Sequence, residues 1–211
     1  MPRGLFITFD GGEGGGKTTL CARLADWLRE QGQDVVLTRE PGGTAGAQEI
    51  RSLLVTGEPD RWLPISEIML YAAARHDNCK RVIEPALQAG TTVLCDRFNE
   101  STIAYQGYGH GQNIDDIRSI LNIATSELEP DLTFIMDLPA ELAIQRSRGA
   151  SVAEDRFEKI PIDFHQRLRN GYLELARQSP NRCNVIDATQ PLDKVFKDII
   201  AVVQAKLKQA P

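Results

Sequence analysis

The sequence predicts a three-layer α/β fold, a five-stranded parallel sheet flanked by helices. Three observations carry this. Short apolar runs alternate along the chain with helical patterns, which implies parallel pairing with both sheet faces covered. A glycine-rich segment separates the first apolar run from the first amphipathic stretch, the strand–loop–helix context of a phosphate-binding turn. Every strand candidate also ends at an Asp or an Arg. Polar groups therefore gather at the carboxyl ends of the strands, where open α/β sheets take their ligands.

The strand candidates are Gly4–Asp10, Asp34–Arg39, Thr91–Asp96, Leu132–Asp137 and Asn184–Asp187. The helical patterns are Lys17–Glu30, Ala47–Leu54, Ile65–Leu87, Glu100–Gln106, Asp115–Leu128, Ala140–Arg148, Ile162–Gln178 and Leu192–Lys208. Pro85 lies inside the third of these and should kink or break it, because proline lacks an N–H and clashes with the preceding turn. Residues 149–156 are poor in large apolar side chains and join two helices, which reads as a mobile loop; with its flanks it makes a lid candidate at about 147–158. No repeat or linker divides the 211 residues, so one domain is expected.

Bulk properties exclude several classes. The formal charge of −5 argues against an extended nucleic-acid surface. No apolar run approaches the roughly 20 residues that span a membrane, and the N-terminus runs directly into a strand without a signal-peptide pattern. Cys21, Cys79, Cys95 and Cys183 lack metal-site or disulfide spacing and read as buried thiols of a cytoplasmic protein.

The chemistry begins at Gly11-Gly12-Glu13-Gly14-Gly15-Gly16-Lys17-Thr18, a G-x-x-x-x-G-K-[ST] match. Its glycines let backbone N–H groups point at phosphate oxygens, and the following helix adds partial positive charge. Lys17 reaches the β- and γ-phosphates of a nucleoside triphosphate, and the Thr18 hydroxyl can ligate Mg²⁺. The plain alternative is a glycine turn with a chance Lys-Thr. Asp96 and Asp137 both end apolar strands, and either could hold Mg²⁺; as helix caps they would be structural. Arg39, before the turn-like Glu40-Pro41-Gly42-Gly43-Thr44, can grip a phosphate bidentately or pair with Glu40 at the surface. Arg146, Arg148 and Arg156 are cations beside the lid candidate; Arg146 reads best as a solvated helix-end cation. Tyr71 and Arg75 share a helix face. They could hold a flat base, or be a core ring beside an exposed guanidinium.

Taken together, these residues resemble the bacterial thymidylate kinase (dTMP kinase) family over nearly the whole chain. The matching runs are Phe9–Thr19, Thr38–Thr44, Tyr71–Arg75, Asp96–Phe98, Ser101–Gly107, Asp155–Glu158 and Asp187–Pro191. The resemblance implies a P-loop nucleoside monophosphate kinase fold and phosphorylation of dTMP to dTDP by ATP with Mg²⁺, as a step of dTTP biosynthesis, in a homodimer. It implies that Gly11, Gly12, Glu13, Gly14, Gly15, Gly16, Lys17 and Thr18 bind ATP phosphates and metal, with Asp96 on the metal side. Ala188, Thr189 and Gln190 would border adenine. Asp10 would meet the sugar–phosphate end of dTMP, and Arg39 and Arg97 its phosphate. Tyr71 would stack on thymine, Arg75 would bond a thymine carbonyl, Ser101 and Thr102 would lie at the substrate, and Tyr105 would exclude a 2′-hydroxyl. Lys17, Arg97 and a lid arginine, Arg148 or Arg156, would act in transfer.

Two positions depart from the common pattern. Many relatives carry Glu where this chain has Asp10, which shortens its reach. Gly15 stands where one branch of the family carries an arginine, so the missing cation is expected from the lid. Rival classes are a GTP switch, another small-molecule kinase, or a nucleotide-binding protein without turnover. The first lacks its guanine-reading Asn-Lys-x-Asp run. Intact Lys17, Thr18, Asp96 and Arg97 argue against the last.

Overall fold

The computed structural model describes residues 3–58, 60–147 and 160–208. All five expected strands form: β1 (Phe6–Gly11), β2 (Val35–Arg39), β3 (Thr92–Asp96), β4 (Leu132–Asp137) and β5 (Cys183–Asp187). The described helices are α1 (Lys17–Glu30), α2 (Ala45–Val55), α3 (Pro64–Asn78), α4 (Glu84–Gln88), α5 (Asn99–Thr102), α6 (Ile114–Thr125), α7 (Ala140–Ser147), α8 (Ile162–Gln178) and α9 (Leu192–Leu207). The strands pair in parallel in the order β2-β3-β1-β4-β5. From β1 the chain goes to one side for β2 and β3 and to the other for β4 and β5. The carboxyl end of β1 is therefore a topological switch point, where a crevice opens.

Every residue of β1 is buried, as a central strand requires. Its two-residue period sorts the side chains between two layers. Ile7 and Phe9 pack on α1 and α9 through Leu20, Leu24, Val195 and Ile199. Phe6 faces the opposite layer, against Val93, Cys95, Leu87 and Phe98. Thr8, in the same alternation, is matched by Thr133 across the sheet at 2.9 Å between hydroxyls. Asp10 continues that series, so a carboxylate is carried into the layer of α5 and α8. The four cysteines are buried. Among the described residues no helix is long and apolar enough to cross a membrane.

Two helical expectations change in detail. The Ile65–Leu87 pattern does not end at Pro85. A π-helical turn at Cys79–Ile83 joins α3 to α4 just before the proline. Widening the turn at that point accommodates a residue that has no N–H to offer and a ring that crowds the carbonyl four residues back. The Glu100–Gln106 pattern likewise splits into α5 and a π-helical segment at Ile103–Gly109. Tyr105 and Gln106 project from that widened segment into the site.

Candidate active site

The glycine loop leaves β1 and enters α1 through Gly16, whose φ of 77° is left-handed. No side chain caps α1, and its first turn carries no acidic residue. The first N–H groups therefore remain free to meet an anion, and the helix dipole favours one there. Gly14, also left-handed at φ 71°, lies where a Cβ would come within 2.7 Å of the Ala143 carbonyl. Lys17 folds over this loop, its Nζ donating to the Gly12 carbonyl at 2.5 Å. Burial, with Arg97 nearby, pulls the Lys17 ammonium down to about 8, against the opposing pull of Asp96, Glu13 and Asp10. An arriving polyphosphate would restore its charge.

A cavity of about 360 Å³ opens over the loop, lined among others by Lys17, Thr18, Arg39, Arg51, Asp96 and Arg97. Thr18 donates its hydroxyl to Asp96 Oδ2 at 2.5 Å, while Asp96 Oδ1 is buried without a partner among the described residues. One hydroxyl beside one carboxylate with a spare oxygen is an all-oxygen donor pair. It suits Mg²⁺, which binds through one or two carboxylates and completes its shell with phosphate oxygens and water. Asp137, the other metal candidate, is engaged elsewhere: Arg169 donates to both its oxygens at 2.7 and 2.9 Å.

A second, inner cavity of about 200 Å³ lies beside this first, outer one. Tyr71 and Arg75 of α3 form one wall, and Ser101, Thr102, Tyr105 and Gln106 another. Arg75 is 2% exposed, and each of its three guanidinium nitrogens has a partner, with one N–H left over on each terminal nitrogen among the described residues. Its Nε donates to Glu40 Oε2 at 2.6 Å, and its terminal nitrogens to Thr102 Oγ1 at 3.1 Å and the Phe98 carbonyl at 3.0 Å. Asn78 donates to the other Glu40 oxygen at 3.0 Å, so both oxygens of this buried carboxylate are satisfied. The reading of Tyr71 as core and Arg75 as exposed is thus reversed: the guanidinium is buried and the ring half-buried.

Glu13, Glu40, Arg51 and Arg97 line both cavities. Arg97 adopts a left-handed φ of 72°, costly for a residue with a Cβ and characteristic of functional sites. Its guanidinium donates to the Gly11 carbonyl at 2.9 Å and pairs with Glu13 Oε1 at 3.2 Å. It also stacks over the Tyr105 ring at 5.2 Å. The Tyr105 hydroxyl donates to the same Glu13 oxygen. Burial disfavours charge on Glu13, but Arg97, Lys17 and Tyr105 together outweigh it and hold the carboxyl below its ordinary value.

Other expected residues take different places. Asp10 lines neither cavity. It is fully buried and accepts from the Phe98 N–H at 3.1 Å and the Ser101 hydroxyl at 2.5 Å, fixing the turn that presents Arg97. Burial first, then the charge of Glu100, pushes its carboxyl up to about 6. Glu13 is the loop carboxylate that faces the inner cavity. Arg39 is exposed at the outer cavity with a long contact of 3.4 Å to Gln48. Arg146 is also exposed, but it is not merely a solvated helix-end cation. It donates to the carbonyls of Ala188 at 2.7 Å and Thr189 at 3.2 Å, tying α7 to the turn that also contains Gln190. Arg148 and Arg156 lie outside the described residues, as does most of the lid candidate.

Arg51 and Gln106 received no role in the sequence reading. On α2, Ala47 and Leu54 are buried, and Arg51 falls on their stripe at i+4 from Ala47. A cation on an inward face was the available signal. Gln106 is 2% exposed and donates to Glu67 at 2.8 Å. Its site-facing position depends on the π-helical widening, which no local pattern announces.

Comparison with known proteins gives the family. The family model described as thymidylate kinase matches residues 9–199. A thymidylate kinase of Caulobacter vibrioides is 50% identical over 98% of this chain and 99% of its own length. That of Dinoroseobacter shibae is 48% identical over 94% of this chain and 95% of its own. A crystal structure of thymidylate kinase from Ehrlichia chaffeensis superposes with a TM-score of 0.78 at 34% identity, covering 96% of this chain and 99% of that one.

Proposed function

The chain belongs to the thymidylate kinase family, whose members phosphorylate dTMP to dTDP with ATP, and from that premise we propose how its own residues carry out the transfer. The supporting observation is the shared wall. Glu13, Glu40, Arg51 and Arg97 border both the cavity over the glycine loop and the cavity beside it. ATP phosphates occupy the first, dTMP the second, and the two anions meet across Arg97 and Arg51.

The acceptor is a phosphate monoester with a second pKa near 6, largely dianionic at neutral pH, so no general base is needed. Catalysis then consists of alignment and charge neutralisation. Lys17 and the N–H groups at the start of α1 hold the donor phosphates. Thr18 and Asp96 would hold Mg²⁺, which would supply positive charge against the donor phosphates. Arg97, Arg51 and Arg39 hold the acceptor phosphate and offset repulsion as it approaches. Arg148 or Arg156, both outside the described residues, supplies the cation that Gly15 does not, as the family resemblance implies for this single domain. Ala188, Thr189 and Gln190, held by Arg146, border the adenine.

In the inner cavity Tyr71 stacks on the base, and Arg75 and Gln106 bond its polar edge beside Thr102. Ser101 and Asp10 act one step back, holding the Arg97 turn. Tyr105 packs against the sugar and orients Glu13, whose carboxylate accepts from a sugar hydroxyl. Thymine differs from uracil by one methyl, worth roughly 1–3 kcal/mol in an apolar pocket, so dUMP is a poor substrate and not an excluded one. Exposed Ile65 and Met69 on α3 and Ile123 on the neighbouring α6 offer apolar area to a second copy of the chain in a cytoplasmic homodimer.

A panel of dTMP, dUMP, dCMP and UMP with ATP and Mg²⁺, with products identified by mass, tests the assignment. dTDP should dominate at equal acceptor concentration. Preference for another monophosphate would overturn the acceptor half, and formation of no diphosphate at all would overturn the whole reading.

A further inference from the structure

Behind the glycine loop lies a third, much smaller cavity, of about 20 Å³. Its walls include Gly12 and Glu13 of the loop, Asp137 at the end of β4, Ala143 of α7, and His165 and Tyr172 of α8. Two of these lining residues, Glu13 and His165, each carry a side-chain atom that is buried without a partner among the described residues: Glu13 Oε2 and His165 Nε2. The side chains of Asp137, Arg169 and Tyr172 are engaged. Asp137 is held at both oxygens by Arg169, and the Tyr172 hydroxyl lies 2.9 Å from that of Ser101. His165 is 6% exposed, and nothing in the transfer chemistry requires it.

Buried polar atoms left unpaired are rare because each bears its full desolvation penalty. Two such atoms on residues lining one small cavity point to a shared small partner. A buried water needs roughly 10–15 Å³ of space and two to four polar neighbours. A cavity of about 20 Å³ accommodates one and not two. We propose that a single buried water bridges His165 Nε2 and Glu13 Oε2, and that His165 is thereby a positioning residue for the loop carboxylate. The water donates one proton to the carboxylate and meets the imidazole as donor or acceptor, according to the tautomer.

The bridge matters because of what happens at the other oxygen. Glu13 Oε1 is held by Arg97 and by the Tyr105 hydroxyl. In the reading above, Arg97 turns to the acceptor phosphate, which loosens Glu13 on that side. The water at Oε2 remains and keeps the carboxylate aimed at the sugar. It also links the loop to α8.

The test has a structural and a kinetic arm, and only the second rests on the proposed function. A crystal structure of the wild-type protein showing ordered solvent is expected to hold one water within about 2.7–3.2 Å of both atoms. A dry cavity, or a direct contact between the two side chains, overturns the proposal whatever the protein's activity. In steady-state kinetics, His165→Leu is expected to lower kcat/KM for dTMP about ten-fold while KM for ATP moves less than about two-fold. His165→Gln, which keeps a polar group, should recover most of the loss. Equal losses in both variants, or a parallel rise in KM for ATP, would reduce His165 to a packing residue. Should the leucine variant fail to fold, the glutamine variant and the wild-type water still decide.

Discussion

The two halves of the site are built by different means. The donor half is backbone and contiguous sequence: a loop with left-handed Gly14 and Gly16, an uncapped helix start, and Lys17 and Thr18 directly after. The acceptor half is side chain and tertiary structure. Arg75 from α3 meets Glu40 after β2, Thr102 on α5 and the carbonyl of Phe98. A loop of glycines tolerates one lost side chain structurally but not chemically. An interlocked set of buried ions suffers in the opposite order, with stability failing first. Mutation can separate these two behaviours.

The largest effect is expected in the donor half. Lys17→Ala should lower kcat by about a thousand-fold or more by removing charge from the transferring phosphoryl. dTMP affinity, measured by calorimetry, should stay within a few-fold. Loss of dTMP binding as well would merge the two halves. In the acceptor half, Glu40→Ala should cost about 3–5 kcal/mol of stability by leaving Arg75 buried and unpaired, read as a lowered urea midpoint. An unchanged midpoint would mean that Arg75 finds water and that the network is not a structural unit.

That contrast also explains what could be read from the chain alone. The strands, α1 and the glycine loop follow from period and local motif, and Lys17–Glu30 and Ile162–Gln178 form at the expected bounds. The sheet order was not legible, because local patterns do not record which strands become neighbours. Among the acceptor residues, Tyr71 and Arg75 were legible as a pair on one helix face and Arg39 as a strand-end cation, whereas Tyr105 was reachable only by resemblance, because the set converges through packing. Asp10 was misplaced for a related reason. Alternation along β1 carries it away from the cavities, and Glu13, read simply as part of the phosphate loop, takes the cavity-facing position. Arg51 carried a usable signal on the inward stripe of α2, whereas Gln106 depended on a π-helical turn.

Two smaller effects follow from burial of charge. Asp10 titrates at about 6 in the fold against an ordinary 3.8. A raised carboxyl contributes stability that is full below 3.8 and is lost as pH rises through about 6. The stability of the wild type relative to Asp10→Asn, which can still accept from Ser101 and the Phe98 N–H, should therefore fall across that window. Identical pH profiles would show that Asp10 is not buried as a charge. On the donor side Lys17 sits near 8. ATP binding at pH 8 should draw up part of a proton, seen as a heat that varies with buffer ionisation enthalpy, and Lys17→Arg should abolish that dependence. A buffer-independent heat in the wild type would place the ammonium in contact with water.

The joining of the two halves across Glu13, Glu40, Arg51 and Arg97 is tested most directly by ADP release from ATP and Mg²⁺, with and without dTMP. Release should be negligible without dTMP and should match dTDP formation mole for mole with it. ADP appearing at the same rate in the absence of dTMP would contradict a two-substrate site.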